Sequence, residues 1–336
     1  MQRQAGLDLI RCTALLFVVI FHAFLNNGYY YQPQVGGFML LAGSVRWLST
    51  GCIGLFLLLT GYLKSTETDI RSCWRRLPEV LLAYFLAAAV SIPVRHYILR
   101  DTQSFGTWML RLFGFSGVYY GWYVEMYVGL VLLMPFVNRI LSNLQDRDLL
   151  PFAAVLLFLT ALPGIIKIPV LPDYWRNSYP LTYYVLGAWI RRLQPRVHPL
   201  LGIGGALAIA LLLGSATVLS TDGPLGEAVT WEFADLWILL IAALLFISLY
   251  QMQLSISAEK LLAFAAKGCY GGYLLSHLLD AWCYLLIPQW RTPARYPMLF
   301  LVVTVPVYLV SILCGRALEQ LTAKLLRKER KQCVQK

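Results

Sequence analysis

Runs of about 20 apolar residues recur along the chain, and short polar or aromatic segments separate them. An α-helix rises about 1.5 Å per residue, so a run of that length crosses the ~30 Å hydrocarbon layer of a bilayer. The pattern predicts ten spans, at about residues 8–27, 45–63, 77–98, 122–141, 149–169, 178–193, 199–219, 231–251, 268–287 and 297–318. We therefore expect an all-α polytopic membrane bundle of about ten transmembrane helices.

The composition points to the same class of protein. Hydrophobic residues make up 59% of the chain and charged residues only 13%, which excludes an ordinary soluble domain. No stretch is long and polar enough to form a second domain. We expect one membrane domain over residues 1–318 and a basic cytosolic tail over residues 319–336. The seven cysteines show neither a CxxC pair nor zinc spacing, and no metal-ligand cluster is visible, so free thiols and a site without metal are expected.

Lysine and arginine are distributed unevenly among the predicted loops. With the N-terminus in the cytosol, 20 of the 28 basic residues fall on the inner side and eight on the outer side. Because cytoplasmic loops carry an excess of Lys and Arg, both termini are expected in the cytosol. The same asymmetry accounts for much of the net charge of +11. The charge therefore indicates a lipid bilayer, and no nucleic acid, as the partner.

Two histidines lie deep within predicted spans. His22 follows Arg11 by 11 residues, which places its imidazole ~16 Å along the helix, and His277 follows Lys267 by ten. An ionisable group at that depth is costly to bury and is usually retained for function. The alternative is a histidine that only hydrogen-bonds a neighbouring helix. The matching depth favours one shared site, in which a neutral imidazole accepts a hydroxyl proton and returns it.

Arginines gather on the inner side beside these helices. Arg11 lies at the mouth of the first span, and Arg71, Arg75 and Arg76 lie in the loop after the second. Guanidinium groups match phosphate oxygens, so this cluster suits a phosphorylated donor that enters from the cytosol. The alternative is that these charges only set the topology beside anionic headgroups.

Aromatic and acidic residues provide candidates for substrate binding. Tyr273 lies four residues before His277, on the same helix face, and Asp280 lies three residues after it. Asp280 either orients His277 or contacts a sugar hydroxyl, unless it makes an interhelical contact instead. Trp122 and Glu125 begin the fourth span, where aromatic rings either form an interfacial belt or stack on sugar faces. A solvated interfacial acid is the alternative for Glu125.

Five motifs, in chain order, resemble those of acyltransferase family 3, the integral membrane O-acyltransferases. They are Asp8-x2-Arg11-x10-His22, the glycine-bounded residues 54–61 with Tyr62-Leu63, Arg76-Leu77-Pro78, Trp122-Tyr123 with Tyr127-x-Gly129-Leu130 and Pro135, and residues 269–277, which end in His277. The resemblance covers nearly the whole chain. Cys73 and Cys269 depart from it, since the family often has an arginine at the first position and usually a serine at the second.

The resemblance implies a multi-pass acyltransferase of the bacterial cytoplasmic membrane. It would move an acyl group, expected to be acetyl, from cytosolic acetyl-coenzyme A to a hydroxyl group of a cell-surface glycan or lipid-linked saccharide. The implied roles are the following: His22 as general base, His277 as its rival, Arg11, Arg71, Arg75 and Arg76 as contacts of the coenzyme A phosphates, and Tyr273, Asp280, Trp122 and Glu125 as substrate-binding residues. Many relatives carry an additional domain outside the membrane, so transfer to the acceptor is expected either from the membrane domain alone or with a partner, which would be a glycan-pathway protein or a second copy of the chain.

Two other functions use the same features. A transporter or substrate-uptake domain would line its path with buried His and Arg residues. An inactive assembly subunit of a glycan pathway would keep only the fold. The pair Arg11 and His22 discriminates between an enzyme and a transporter. Acyl transfer needs a phosphate site aligned with a base, whereas a translocation pathway needs polar residues that continue to the far side of the membrane. Polar residues thin out beyond His22 until Asn26, which favours the enzyme.

Overall fold

A computed structural model describes residues 4–165, 171–221, 223–225, 232–286 and 300–334. These residues form helices and no strand, so the predicted all-α class is confirmed. The main helices are α1 (Ala5–Asn26), α2 (Gly36–Thr50), α3 (Cys52–Lys64), α4 (Ile70–Trp74), α5 (Leu77–Pro93), α6 (Phe105–Phe113), α7 (Trp122–Asn143), α8 (Asp146–Ile165), α9 (Tyr179–Leu193), α10 (Pro199–Ser220), α11 (Leu236–Leu249), α12 (Ile256–Ala266), α13 (Cys269–Leu286) and α14 (Val305–Val334).

Six helical segments among the described residues are long and apolar enough to cross a membrane. They are Ala5–Asn26, Gly36–Lys64, Ile70–Ile98, Trp122–Asn143, Pro199–Ser220 and Val302–Arg327. The chain is therefore an integral membrane protein, while the count of about ten spans and the cytosolic placement of both termini stay predictions. Parts of the fifth, eighth, ninth and tenth predicted spans lie outside the described residues.

Several boundaries differ from those that hydropathy predicts. The second span begins at Gly36 rather than near residue 45, because α2 continues into α3 across Gly51. The short helices α4, α6 and α12 contain too few apolar residues to stand out in the sequence. Helix α14 runs through the predicted domain boundary at residue 318 without a break. Helical structure alone does not divide the tail from the domain, so that division stays a prediction.

Helix α1 is the central helix of the described bundle. Of the 18-residue apolar stretch of α1, 72% is buried within the protein. The corresponding share for α10, which lies at the periphery, is 22%. Helix α1 contacts α2, α3, α11, α12, α13 and α14. The helix that carries Arg11 and His22 is thus surrounded by protein.

Helices α13 and α14 approach each other closely because glycines face each other. A side chain at Gly315 of α14 would overlap the backbone of Gly268 and Gly272. Small residues allow this contact in the membrane, where packing rather than hydrophobic burial joins helices. The contact fixes α13, which carries Tyr273, His277 and Asp280.

Asn138 of α7 holds the inner loop between α3 and α4. It is fully buried, and its amide nitrogen donates hydrogen bonds to the carbonyl oxygens of Lys64, at 2.8 Å, and Glu67, at 2.6 Å. Its amide oxygen accepts a hydrogen bond of 2.7 Å from the hydroxyl of Tyr184. The loop that leads to the basic cluster is therefore fixed by one amide.

The loop of residues 114–121, between α6 and α7, is held from two sides. The hydroxyl of Tyr84 donates to the Leu112 carbonyl oxygen and accepts from the Gly117 N–H. The guanidinium of Arg95 donates to the carbonyl oxygens of Ser116 and Gly117. The loop places the neighbouring rings of Tyr119 and Tyr120 against α1 and α13.

Asp101 anchors Arg95 in this arrangement. Its carboxylate lies 2.7 Å from the Arg95 guanidinium and 3.0 Å from that of Arg111. Burial raises the pKa of Asp101, but hydrogen bonds from Gln103 and Arg95 outweigh burial and hold the pKa below its ordinary value. The ion pair thereby keeps a buried arginine compensated. Arg46, like Arg95, was predicted to lie in an outer segment, and the structure buries its side chain too.

Candidate active site

A cavity of about 750 Å³ lies beside His22, and we refer to it as the His22 cavity. It is lined by Val18, Phe21, His22, Leu25, Cys52, Ile53, Tyr120, Trp122, Tyr123, Glu125, Met126, Asn177, Tyr179, Phe233, Ala234 and Tyr273. Most of these side chains are aromatic or apolar. Three predicted substrate-binding residues, Trp122, Glu125 and Tyr273, therefore share one cavity with the predicted base.

The two deep histidines are joined by a stack of aromatic rings. The Tyr120 ring stacks on His22, with centroids 3.4 Å apart and planes inclined by 17°. The edge of His277 meets the same tyrosine at 5.1 Å, and Tyr119 stacks on His277 at 4.1 Å. The Arg95 guanidinium lies over the Tyr119 ring at 5.4 Å. The predicted common site for His22 and His277 has a physical basis in this stack.

The hydrogen bonds of the stack lead to Asp280. The amide of Asn26 donates to the Asp280 carboxylate at 2.7 Å and to the Tyr120 hydroxyl at 3.2 Å. No hydrogen bond joins Asp280 to His277 among the described residues. Asp280 thus ties α13 to α1, which matches the interhelical contact that the sequence left open. Within the described part of the chain, Nδ1 of His22 and Nδ1 of His277 are buried without a hydrogen bond.

A second cavity, of about 280 Å³, lies on the other side of the same helices, and we refer to it as the Arg11 cavity. It is lined by Arg11, Phe56, Leu59, Thr60, Leu63, Lys64, Arg76, Glu79, Val80, Tyr123, Tyr127, Ala266, Cys269, Tyr270, Tyr273 and Glu319. Arg11 forms an ion pair with Asp8 at 2.6 Å, and Lys64 forms one with Glu67. Three cations, Arg11, Lys64 and Arg76, line this cavity. Two carboxylates, Glu79 and Glu319, line it as well.

The structure separates the four predicted donor-site arginines into two pairs. Arg11 and Arg76 line the Arg11 cavity, and both lie at starts of apolar helices. Arg71 and Arg75 are exposed on α4 and at its end, and neither lines a cavity described for this chain. Geometry thus distinguishes Arg76 from the two arginines that the sequence could not separate from it.

The two cavities are divided by a pair of tyrosines. Among the described residues, Tyr123 of α7 and Tyr273 of α13 line both cavities. Their rings meet edge to face, with centroids 5.4 Å apart. The Tyr273 hydroxyl donates a hydrogen bond to the backbone carbonyl oxygen of Tyr120, whose ring stacks on His22. The basic cavity and the cavity that holds the imidazole therefore meet at this ring pair.

Comparison with known protein families shows which family the chain belongs to. A family model described as an acyltransferase domain matches residues 4–316, which include every lining residue of the His22 cavity and all of those of the Arg11 cavity except Glu319. The chain belongs to acyltransferase family 3. Comparison with curated proteins and with solved structures found no match. The resemblance that the motifs indicated is confirmed, and the protein is a membrane acyltransferase.

The first motif of this acyltransferase runs from one cavity to the other along α1. Arg11 lines the Arg11 cavity, His22 lines the His22 cavity, and Tyr123 and Tyr273 line both. The roles of these residues stay predictions, as do those of Arg71, Arg75, Asp280 and His277. His277 lies in the aromatic stack and is not among the lining residues of the His22 cavity.

Two residues of the site were given no role by the sequence, although Tyr123 belongs to the fourth motif. Tyr120 contacts both histidines, and Tyr123 divides the cavities. Both lie in the aromatic segment at the start of the fourth predicted span, where rings are equally expected in an interfacial belt. Only their placement between α1 and α13 distinguishes them from such a belt.

Proposed function

We propose that this acyltransferase moves an acyl group, expected to be acetyl, from cytosolic acyl-coenzyme A to a hydroxyl group of a cell-surface glycan or lipid-linked saccharide. The observation that carries the proposal is the pair of cavities that meet at Tyr123 and Tyr273. One cavity offers cations at the predicted cytosolic side, and the other offers an imidazole. A donor and an acceptor that approach from opposite sides would meet at this junction.

The Arg11 cavity suits the donor. Its volume of about 280 Å³ accommodates the slender thioester-bearing arm rather than a whole coenzyme A molecule. Arg11 and Arg76 would bind phosphate oxygens at the mouth, since guanidinium groups form paired hydrogen bonds with phosphate. The remaining lining is largely aromatic and aliphatic, which suits the uncharged arm that carries the thioester. Acetyl-coenzyme A is the donor that we expect.

His22 would act as the general base in a single transfer step. Its neutral imidazole takes the proton of the acceptor hydroxyl as the oxygen attacks the thioester carbonyl carbon. The C–S bond then breaks, and the leaving thiolate takes the proton from the imidazolium. The products are an ester and free coenzyme A, and no acyl-enzyme forms. The Tyr120 ring, stacked at 3.4 Å, would hold the imidazole in place.

The lining of the His22 cavity supports a saccharide acceptor. Trp122, Tyr179 and Phe233 contribute ring faces, and Glu125 and Asn177 contribute polar groups. Aromatic faces stack on the apolar faces of sugars, while a few polar side chains orient the hydroxyl groups. The apolar majority of the lining also favours the enzyme over a transporter, whose path would need polar groups throughout.

The test compares His22→Ala and His22→Gln with His198→Gln, which changes an exposed histidine at the start of α10. The purified proteins receive acetyl-coenzyme A and a saccharide acceptor, and ester formation and coenzyme A release are measured. We expect a loss of at least about 100-fold in transfer for both His22 variants, with donor binding retained. The control should match the wild type.

Two outcomes would change the assignment. Transfer at more than a tenth of the wild-type rate by both His22 variants would remove His22 from the chemistry. If no donor gives transfer or hydrolysis in the wild type, while reconstituted vesicles take up the saccharide, the protein would be a transporter rather than an acyltransferase.

A further inference from the structure

Tyr123 and Tyr273 divide the two cavities, but their hydroxyl groups are engaged differently. The Tyr273 hydroxyl donates to the Tyr120 carbonyl oxygen, which fixes that ring. The Tyr123 hydroxyl forms no hydrogen bond with any described residue, although its side chain is only 8% exposed. The Tyr123 oxygen is not one of the buried polar atoms without a partner among the described residues, so it keeps accessible surface beside the two cavities that Tyr123 lines, where a ligand can reach it. A ligand at the junction would provide the missing partner.

The position of Tyr123 is where the reacting carbonyl must pass. An acyl thioester that reaches from the Arg11 cavity towards His22 crosses the one ring pair that lines both cavities. Tyr123 is also the second residue of α7, whose N-terminal end carries a partial positive charge. A hydroxyl donor on the first turn of this helix, beside both cavities, suits developing negative charge.

We propose that the Tyr123 hydroxyl donates a hydrogen bond to the thioester carbonyl oxygen and stabilises the oxyanion that forms there. As the acceptor oxygen attacks the carbonyl carbon, the C=O π electron pair moves to the carbonyl oxygen, and Tyr123 donates to it without transferring its proton. When the C–S bond breaks, the pair returns to form the ester carbonyl. Tyr123 is thus a catalytic residue of the proposed transfer, and this assignment rests on that proposed function.

The test removes one oxygen atom and keeps the ring. Tyr123→Phe retains the edge-to-face contact with Tyr273, so the partition and the fold should persist. We expect kcat for acetyl transfer to fall about 100-fold, the order found for one oxyanion donor, while KM for the donor rises no more than about fivefold. Tyr174→Phe, at an exposed tyrosine that lines neither cavity, serves as the control and should retain the wild-type kcat.

A matched pair of ligands separates contact with the carbonyl from packing. Acetyl-coenzyme A has the carbonyl oxygen, and S-ethyl-coenzyme A lacks it. Tyr123→Phe should weaken binding of acetyl-coenzyme A by about fivefold, which is the scale of one neutral hydrogen bond, and leave S-ethyl-coenzyme A unchanged. Equal weakening of both ligands would show that Tyr123 only packs, and would overturn the proposal.

The outcomes also distinguish this inference from the proposed function. If the wild type neither transfers nor hydrolyses any acyl-coenzyme A, the proposed function fails, and the role of Tyr123 fails with it. If the wild type transfers and Tyr123→Phe keeps a kcat within threefold of it, the function stands and the oxyanion assignment is wrong.

Discussion

Replacing Asn138 with Leu should destabilise the protein more than any single change of comparable size on α7. The substitution removes two hydrogen bonds to the Lys64 and Glu67 carbonyl oxygens and one from the Tyr184 hydroxyl. Each contributes about 1 kcal/mol net, and the Tyr184 hydroxyl is left buried without its partner. The sum is about 3–5 kcal/mol of unfolding free energy.

The assay is denaturant unfolding in detergent, followed by donor binding on the folded fraction. Asn143→Leu is the matched control, because Asn143 lies on the same helix and donates only to the Arg139 carbonyl oxygen at an exposed position. The control should change stability by less than about 0.5 kcal/mol. Donor affinity should also fall for Asn138→Leu, since Leu63 and Lys64, at the end of α3 that Asn138 holds, line the Arg11 cavity.

A second substitution shows whether the stranded hydroxyl accounts for part of the cost. Tyr184→Phe alone should lose about 1 kcal/mol, and the double variant should lose less than the two single losses added together. The reason is that removal of the hydroxyl relieves the penalty that Asn138→Leu creates. Strict additivity, or an Asn138→Leu stability within 1 kcal/mol of the Asn143 control, would refute the reasoning.

Two further predictions follow from the placement of charged residues. Arg76→Ala should weaken acetyl-coenzyme A binding about fivefold at low salt, a modest value because the side chain is exposed. Arg71→Ala is the control and should leave binding unchanged, because Arg71 does not line the cavity. Equal effects of the two variants in a binding titration would show that the position beside the cavity is irrelevant. Asp101→Asn should lower stability at pH 7 by about 1 kcal/mol, with Asp173→Asn as an exposed control. Because the folded pKa of Asp101 is lowered, its contribution is present above its ordinary value of 3.8 and is lost as the pH falls below it. A wild-type advantage that persists at pH 2 would contradict this assignment.

The sequence predicted those parts of the site that follow from helix geometry. Arg11 and His22 lie 11 residues apart on one helix, and a fixed rise places them in separate cavities along it. His277 and Tyr273 share a face of α13 for the same reason. These relations need no knowledge of how the helices are arranged.

The rest depends on packing between distant segments. Tyr120 lies between the histidines because Arg95 and Tyr84 hold its loop, and neither contact has a local signature. Arg76 and Arg71 are five residues apart in one basic loop, yet the end of α4 directs only one of them towards the cavity. Asp280 pairs with Asn26 across 254 positions, a contact that hydropathy cannot anticipate.

The thinness of the partition between the cavities has an electrical consequence. A membrane potential falls mainly across the layer that excludes water. If water fills both cavities, that layer narrows to the region where Tyr123 contacts Tyr273. A charge that moves across a full potential of 100 mV changes in energy by about 2.3 kcal/mol. Negative charge that shifts between the carbonyl oxygen and the departing sulfur would do so within this concentrated field. The rate of acyl transfer would then vary with the voltage of the energised membrane, a dependence that detergent solution conceals.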